Sequence, residues 1–467
     1  MKKILTLYVA AAFVFGSYAQ SQTSVATPSE GATTASTGIE FRTGTWAEIL
    51  AMAKKENKPV FVDVFTVWCG PCKKMVAEVF PLKNIGDYFN ANFVCYKFDA
   101  EKGEGKTLAK KYGINAFPTY IFVNGDGKLL YRSMGAMPAD KFLQEGHIAM
   151  TEFTDTGETL ESMKARYPKK KSDPAFLRAY IEKRGKSKLD NADLTDEYVS
   201  IEKPAVLLDT TFLNTCFLHY ESQIRAGGAC DAFWQANWDE LCRLTDCPDK
   251  TMAKVYDNNL MYYSLKRAIR DTSAVLLEAI LKSSDFICPK LERDATHQRL
   301  KLQLEYYAGT DNMTEFETIM PSAATAMLDE VPTCQERDKQ LYRMFLEGLI
   351  TQPELIKNYS PEILGIYLDY AKKQTSVDLA FQLRDLAKAA VRLTSKPELL
   401  HTAMVCIYQA AMLYENFSIY EVLAETLDKT GDHANALRQM QCAFDLMPRE
   451  AEDIVARVTA KLEAMKK

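Results

Sequence analysis

The chain has 467 residues, 47% of them hydrophobic, and a formal net charge of −5 made of interspersed acidic and basic residues. That length and apolar content support two to four domains with sizeable cores rather than a disordered chain. The balance of charge leaves no basic field for nucleic acid and no polybasic patch for anionic lipid.

Met1-Lys2-Lys3, an apolar run from Ile4 to Phe15, and the small residues Ser17 and Ala19 have the pattern of a cleavable signal peptide over residues 1–20. The run is shorter than the ~20 apolar residues a membrane-spanning helix needs. A periplasmic or secreted chain with no transmembrane segment is therefore expected. Residues 21–38 are rich in Ser, Thr, Ala and Gly with almost nothing to bury, and read as a flexible linker.

From Thr45 onward, Trp46, Ile49, Leu50 and Ala53 recur at helical spacing, and Lys54 to Pro59 closes the helix. The β-branched and aromatic run Val60 to Phe65 then reads as a buried strand, and it leads to Trp68-Cys69-Gly70-Pro71-Cys72-Lys73 at the start of a second helix. A thiolate at that position meets the unpaired N–H groups and positive dipole end of the helix. Cys69 is thus the expected nucleophile, and Cys72 the resolving thiol. Gly70 and Pro71 set the tight backbone between them.

Further along, a helix through Met75, Val76 and Val79, a short helical piece from Ile85 to Phe89, a strand from Phe93 to Phe98 and a helix from Thr107 to Tyr112 are expected. Two strands, Tyr120 to Val123 and Lys128 to Arg132, flank the turn Asn124-Gly125-Asp126-Gly127 as a hairpin. A helix from Pro138 to about Ile148 closes an α/β unit over residues 39–150.

The remaining two thirds, residues 155–467, read almost wholly as helix. Apolar residues recur at spacings of three and four through Ala175 to Ile181, Val255 to Ile269, Ala274 to Leu281, Leu341 to Leu349 and Ala380 to Leu393, and prolines such as Pro204, Pro289, Pro332 and Pro397 are expected to break the helices. Tyr420, Leu423, Ala424, Leu427, Gly431, Ala436, Met440, Ala443 and Pro448 have a helix–turn–helix spacing similar to a tetratricopeptide repeat over 417–450, and Ala403, Ile407 and Ala410 echo its second helix. Stacked pairs of this kind bury their apolar stripes only on one another, and offer a surface to a protein partner.

Eleven cysteines are present. Cys95, in an apolar strand, reads as a small buried hydrophobe. Eight more lie between Cys216 and Cys442, where export favours some disulfides, and Cys242 with Cys247 is the first pair to consider. Zinc binding by Cys69 and Cys72 would need a second ligand pair, and no candidate has compatible spacing. With five histidines, and only His147 near the α/β unit, imidazole acid–base chemistry has no support, and neither a metal nor a cofactor is expected.

The ordered set Asp63, Trp68-Cys69-Gly70-Pro71-Cys72-Lys73, Tyr112-Gly113-Ile114, Pro118-Thr119 and Gly135 resembles the thioredoxin family over about residues 40–150. Within it, the segments around Val79-Phe80, Ile85 to Phe89 and Asn92-Phe93-Val94 look most like the periplasmic thioredoxin-like domain of the thiol:disulfide interchange protein DsbD.

The resemblance implies a thiol-disulfide oxidoreductase built on a thioredoxin fold. Pro118 would be a cis-proline facing the cysteine pair, and Asp63 a buried carboxylate that takes a proton from Cys72. Trp68, Gly70, Pro71, Phe117 and Gly135 would meet the substrate. The family also places a lysine near the buried carboxylate, for which Lys97 is the candidate, although alignment on Asp99 puts Cys95 there instead. Protein disulfides are the implied clients, and the Gly-Pro dipeptide favours the reducing direction over isomerase or oxidase activity. A reductase outside the cytoplasm needs an electron donor, which points to a membrane-borne partner. The alternative is that the helical array is the functional part, a protein-binding module, with the thioredoxin-like unit accessory to it.

Overall fold

The computed structural model describes residues 38–467 except 68, 115, 155–157, 188, 211–212, 214–223, 352–367, 369–370, 448–451 and 467. The expected signal peptide and most of the linker lie outside the described residues, as do Trp68 and Cys216. Contacts divide the chain into two compact units, the first ending at Pro248 and the second running Asp249–Lys467.

The first unit opens with α1 (Trp46–Glu56). Its start is fixed by a capping box, in which the Thr45 hydroxyl accepts from the Glu48 N–H while the Glu48 carboxylate accepts from the Thr45 N–H at 2.7 Å. Strand β1 (Val60–Phe65) follows, then the short helix α2 (Gly70–Lys74), which continues directly into a π-helical turn, Met75–Val79. The chain goes on through α3 (Lys83–Asn92), β2 (Val94–Asp99), α4 (Gly103–Lys111), β3 (Thr119–Val123), β4 (Leu129–Met134) and α5 (Ala139–Thr154).

The strands form one sheet in the order β2-β1-β3-β4. β1 runs parallel to β2 and antiparallel to β3, and β3 pairs antiparallel with β4. Side chains alternate between the two faces of a strand, so β1 feeds two cores. Val60, Val62 and Val64 pack with Trp46, Ile49, Leu108 and Tyr112 on one side, and Phe61 packs with Met75, Val79, Phe80, Phe89 and Phe142 on the other. The second core is strongly aromatic: Phe89 stacks on Phe142 at 4.7 Å, and Phe61 meets Phe89 edge-on at 4.8 Å. Such pairs add about 0.5–1.5 kcal/mol each beyond the area they bury.

The elements follow the sequence pattern with longer helices than the apolar spacing suggests. α5 runs to Thr154 because buried Ala149 continues the stripe of Phe142 and Gly146. Beyond it come α6 (Leu160–Lys170), α7 (Pro174–Lys186), α8 (Ala192–Ile201), α9 (Pro204–Leu207), α10 (Ala229–Ala236) and α11 (Trp238–Leu244). Lys183 of α7 bonds Glu152 of α5 at 2.9 Å, with both side chains mostly buried. Where α8 meets α10, the Asp196 carboxylate accepts from Arg225 at 2.7 Å and from the Cys230 N–H at 2.9 Å.

The second unit is helical throughout its described residues: α12 (Asp249–Asp257), a π turn (Asn258–Tyr262), α13 (Tyr263–Arg270), α14 (Ala274–Ile287), α15 (Ala295–Gly309), α16 (Met313–Leu328), α17 (Val331–Thr351), α18 (Gln374–Leu393), α19 (Pro397–Leu413), α20 (Phe417–Lys429), α21 (His433–Leu446) and α22 (Glu452–Met465). Ala403, Ile407 and Ala410 of α19 are buried against Leu383, Ala387 and Ala390 of α18 and Ile419 and Leu423 of α20. Ala424, Met440 and Ala443 form a further cluster with Val458 and Leu462 of α22. The α20–α21 turn passes through Gly431 at φ +92°, a conformation that a residue with a Cβ rarely adopts.

Several prolines start helices instead of breaking them. Pro204 and Pro397 occupy the first helical positions of α9 and α19, where a missing N–H costs nothing. Pro168 and Pro321 sit inside α6 and α16. No helix among the described residues is long and apolar enough to cross a membrane.

Candidate active site

The site forms where β1 runs out. Cys69 is the N-cap of α2, in an extended conformation at φ −76° and ψ 105°. Its Sγ accepts the Cys72 N–H at 3.1 Å, which directs a backbone donor of the first helical turn at the sulfur. Pro71 in that first turn has no N–H to leave unmet. Cys69 and Cys72 are joined by a disulfide, with α-carbons 5.3 Å apart, and both are buried. Past Cys72 the π turn seats Met75 against the sheet, where its Sδ accepts the Met137 N–H at 3.4 Å.

Asp63 lies on β1, on the same strand face as Phe61 and so toward the core that holds Met75 and Val79. It is 2% exposed, and its Oδ1 has no hydrogen-bond partner among the described residues. Burial pushes its carboxyl from an ordinary 3.8 up to about 7, and the charge of Lys97 opposes the shift. In the β1–β2 register Lys97 stands opposite Asp63, whereas Cys95 stands opposite Phe61. The basic neighbour of the carboxylate is therefore Lys97. Its ammonium lies 5.2 Å from the centre of the Phe41 ring. Cys95 is buried, and desolvation pushes its thiol up to about 12, so it is chemically quiet at neutral pH.

The Phe117–Pro118 peptide bond is cis. Thr119 pairs with Val64, which sets Pro118 beside Phe65 at the end of β1 from which the chain leaves toward Cys69. Met134 pairs with Thr119, so Gly135 belongs to the same edge. Gly135 has φ +86°, and its N–H donates to the Pro118 carbonyl at 2.9 Å. Gly70, Pro71, Pro118 and Gly135 are thus all at one end of the sheet. Phe117 is partly buried against the valine-lined core.

One neighbour escaped the sequence reading. Tyr120 stands opposite Asp63 on β3, fully buried, with its hydroxyl without a hydrogen-bond partner among the described residues. Burial, then Asp63, pushes the phenol well above its ordinary 10. The signal was present as a tyrosine immediately after Pro118-Thr119, but its meaning depends on the cross-strand register. Among the described residues no group of His, Cys, Asp and Glu is arranged to hold a metal ion.

The helical cysteines do not pair as export suggested. Among the described residues Cys69–Cys72 is the one disulfide, and Cys230, Cys288, Cys334 and Cys406 are buried thiols dispersed over different helices. Cys334 and Cys406 lie in an apolar cluster, as small hydrophobes do, while the Cys334 sulfur also accepts from the Ser376 hydroxyl and the Cys288 sulfur meets the Ser284 hydroxyl, each at 3.5 Å. Cys242 and Cys247 are half-buried thiols at the end of α11.

Comparison with known proteins agrees with this arrangement. Residues 46–147 match the family of thioredoxin-like domains. Thioredoxin-2 of Saccharomyces cerevisiae is 42% identical over 83 residues, which cover 18% of this chain and 73% of that protein. Chloroplastic Thioredoxin Y of Oryza sativa is 32% identical over 107 residues, 23% of this chain, so the chain spans only 60% of that relative's own length. The solution structure of a Bacteroides thetaiotaomicron protein provisionally termed a disulphide-isomerase is 43% identical, covering 26% of this chain and 97% of that one, with a TM-score of 0.23. The chain belongs to the thioredoxin family, with residues 46–147 as its thioredoxin-like domain.

Proposed function

We propose that the chain is a thiol-disulfide oxidoreductase that reduces protein disulfides through Cys69 and Cys72. The observation that carries this reading is the Cys69 sulfur at a helix N-cap, 3.1 Å from the Cys72 N–H and bonded to Cys72. With that disulfide reduced, the Cys69 thiolate attacks one sulfur of a client disulfide, the client S–S bond breaks, and the other client sulfur leaves as a thiolate and takes up a proton. Cys72 then loses its proton to Asp63 and attacks Cys69. The mixed disulfide breaks, the client departs fully reduced, and the Cys69–Cys72 disulfide of this structure forms. A carboxyl titrating near 7 can hold that proton at neutral pH and release it afterwards.

Pro118, Phe117, Gly135, Trp68, Gly70 and Pro71 are the residues assigned to the client segment. The shared sheet edge of Pro118 and Gly135 supports this assignment. The basic, apolar, small-residue order of residues 1–20 supports an exported enzyme, periplasmic or secreted, which would draw its electrons from a membrane-borne donor. The helix pairs α18–α19 and α20–α21 support a tetratricopeptide-like array that recruits clients or partners.

The test is a full-length Cys72→Ser trap produced in the export compartment, followed by non-reducing electrophoresis and mass spectrometry. Mixed disulfides on Cys69, with wild-type chain reducing insulin, are the expected result. Absence of both overturns the reading.

A further inference from the structure

A second pair of thiols is held together by the way α11 ends. Asp246 adopts the left-handed conformation at φ +49°. The Asp246 N–H reaches back to the Arg243 carbonyl, and the Cys247 N–H donates to the Cys242 carbonyl at 3.0 Å. This is a Schellman motif, which sets the residue after the left-handed one beside the residue whose carbonyl it meets. The direct bond keeps the two α-carbons within about 7 Å, and a disulfide spans roughly 4.4–6.8 Å. The Cys247 thiol donates to the Pro248 carbonyl at 3.8 Å and must turn from it to bond Cys242.

The same reversal recurs where Ser273 meets Ala268, Asn312 meets Tyr307, Arg293 meets Cys288 and Asp432 meets Leu427. Those pairs are a small or apolar residue with a polar one. At the end of α11 both positions are cysteine, and both side chains are half-buried, within reach of a small reagent.

We propose that Cys242 and Cys247 are a second redox site, which a low-molecular-weight disulfide such as oxidised glutathione converts to an intramolecular disulfide across the C-terminal cap of α11. One cysteine, as its thiolate, attacks a glutathione sulfur. The glutathione S–S bond breaks, and one glutathione leaves as a thiol. The other cysteine attacks the mixed disulfide and expels the second glutathione. The pair loses two electrons and two protons, and one oxidised glutathione becomes two reduced molecules. Burial, then Cys242 and Asp246, push the Cys247 thiol up to about 11. A thiol this weakly acidic is a poor leaving group, so the closed bond resists re-opening. The site acts as a staple on the helix end and not as a shuttle.

The test uses the full chain carrying Cys69→Ser and Cys72→Ser, equilibrated over a series of reduced-to-oxidised glutathione ratios, quenched, denatured, alkylated and digested. Proteolysis after Arg243 separates the two cysteines unless they are bonded. Recovery of their peptides as one disulfide-linked species is expected, while Cys95 and Cys406 are recovered alkylated. Adding Cys247→Ala should leave Cys242 carrying glutathione at a level at least about tenfold above that in the chain with both cysteines, because intramolecular closure otherwise outcompetes the adduct. Recovery of Cys242 and Cys247 separately alkylated or separately glutathionylated across the series overturns the proposal, and so does equal adduct in the two chains.

Discussion

At the start of α2 and at the end of α11 two cysteines are held within disulfide range by the helix backbone, and the two sites differ in which end of the helix they occupy. At α2 the sulfur of Cys69 receives an N–H from the first turn. The end of a helix presents carbonyls and partial negative charge instead. At α11 burial first, then the neighbouring Cys242 and Asp246, hold the Cys247 thiol in its protonated form. Position along a helix, and not the mere presence of two cysteines, separates an exchanging pair from a staple.

The largest test of this contrast is activity. Cys69→Ser should lower insulin reduction by at least about 10³-fold, and Cys242→Ser should leave it within about twofold. Comparable losses would erase the distinction. Next, in the fully reduced chain at neutral pH, iodoacetamide should label Cys69 at least ~100-fold faster than Cys247, since a thiol with a pKa near 11 is ionised to only about one part in 10⁴. Peptide-resolved labelling kinetics would read the ratio, and equal rates would sink the helix-end argument.

Asp63 sharpens the first site. In the folded chain its carboxyl titrates near 7 against an ordinary 3.8, so between those values the folded form keeps a proton that the unfolded chain has lost. Stability is therefore fullest below that window and falls as pH rises through it, by up to about 4 kcal/mol. Asp63→Asn should melt well above the parent at alkaline pH and close to it in acid, as thermal unfolding across pH would show. The same variant should slow the resolving step by roughly 10–100-fold and remove the inflection near 7 from its pH profile.

The smallest expected effect concerns the second site. Asp246→Gly relieves the left-handed backbone and removes one of the charges that hold the Cys247 thiol up. It should raise stability by up to about 1 kcal/mol, the low end of the cost of a left-handed residue with a Cβ, and speed Cys247 labelling a few-fold. Slower labelling would contradict the assigned cause.

Much of the first site was legible because its signals are local. A strand pattern, two cysteines at a helix start and an Asp inside an apolar run can be read from neighbouring residues alone. The choice between Lys97 and Cys95 could not be read that way, since the two differ only by strand register, which pairing with Asp63 settles. Tyr120 became meaningful for the same reason. Export chemistry says where disulfides persist, not which thiols meet, and Cys230, Cys334 and Cys406 are buried as separate thiols instead. Pro168 and Pro321 show the limit of proline as a stop signal when surrounding contacts hold a helix together.

The π turn Met75–Val79 has a consequence for chain length. Its Phe80 N–H reaches the Met75 carbonyl, so this turn carries one residue more than an α-helical one would. The wider turn takes up that extra residue over about the arc that one residue fewer covers in a regular helix, so a single deletion that closes it to α-helix should leave Phe80 facing Phe61 and Phe142. A deletion from the regular helix α3 has no such slack and would turn the residues after it by about 100°. The π turn is thus the place between the cysteine pair and α3 where a change of length should be tolerated best.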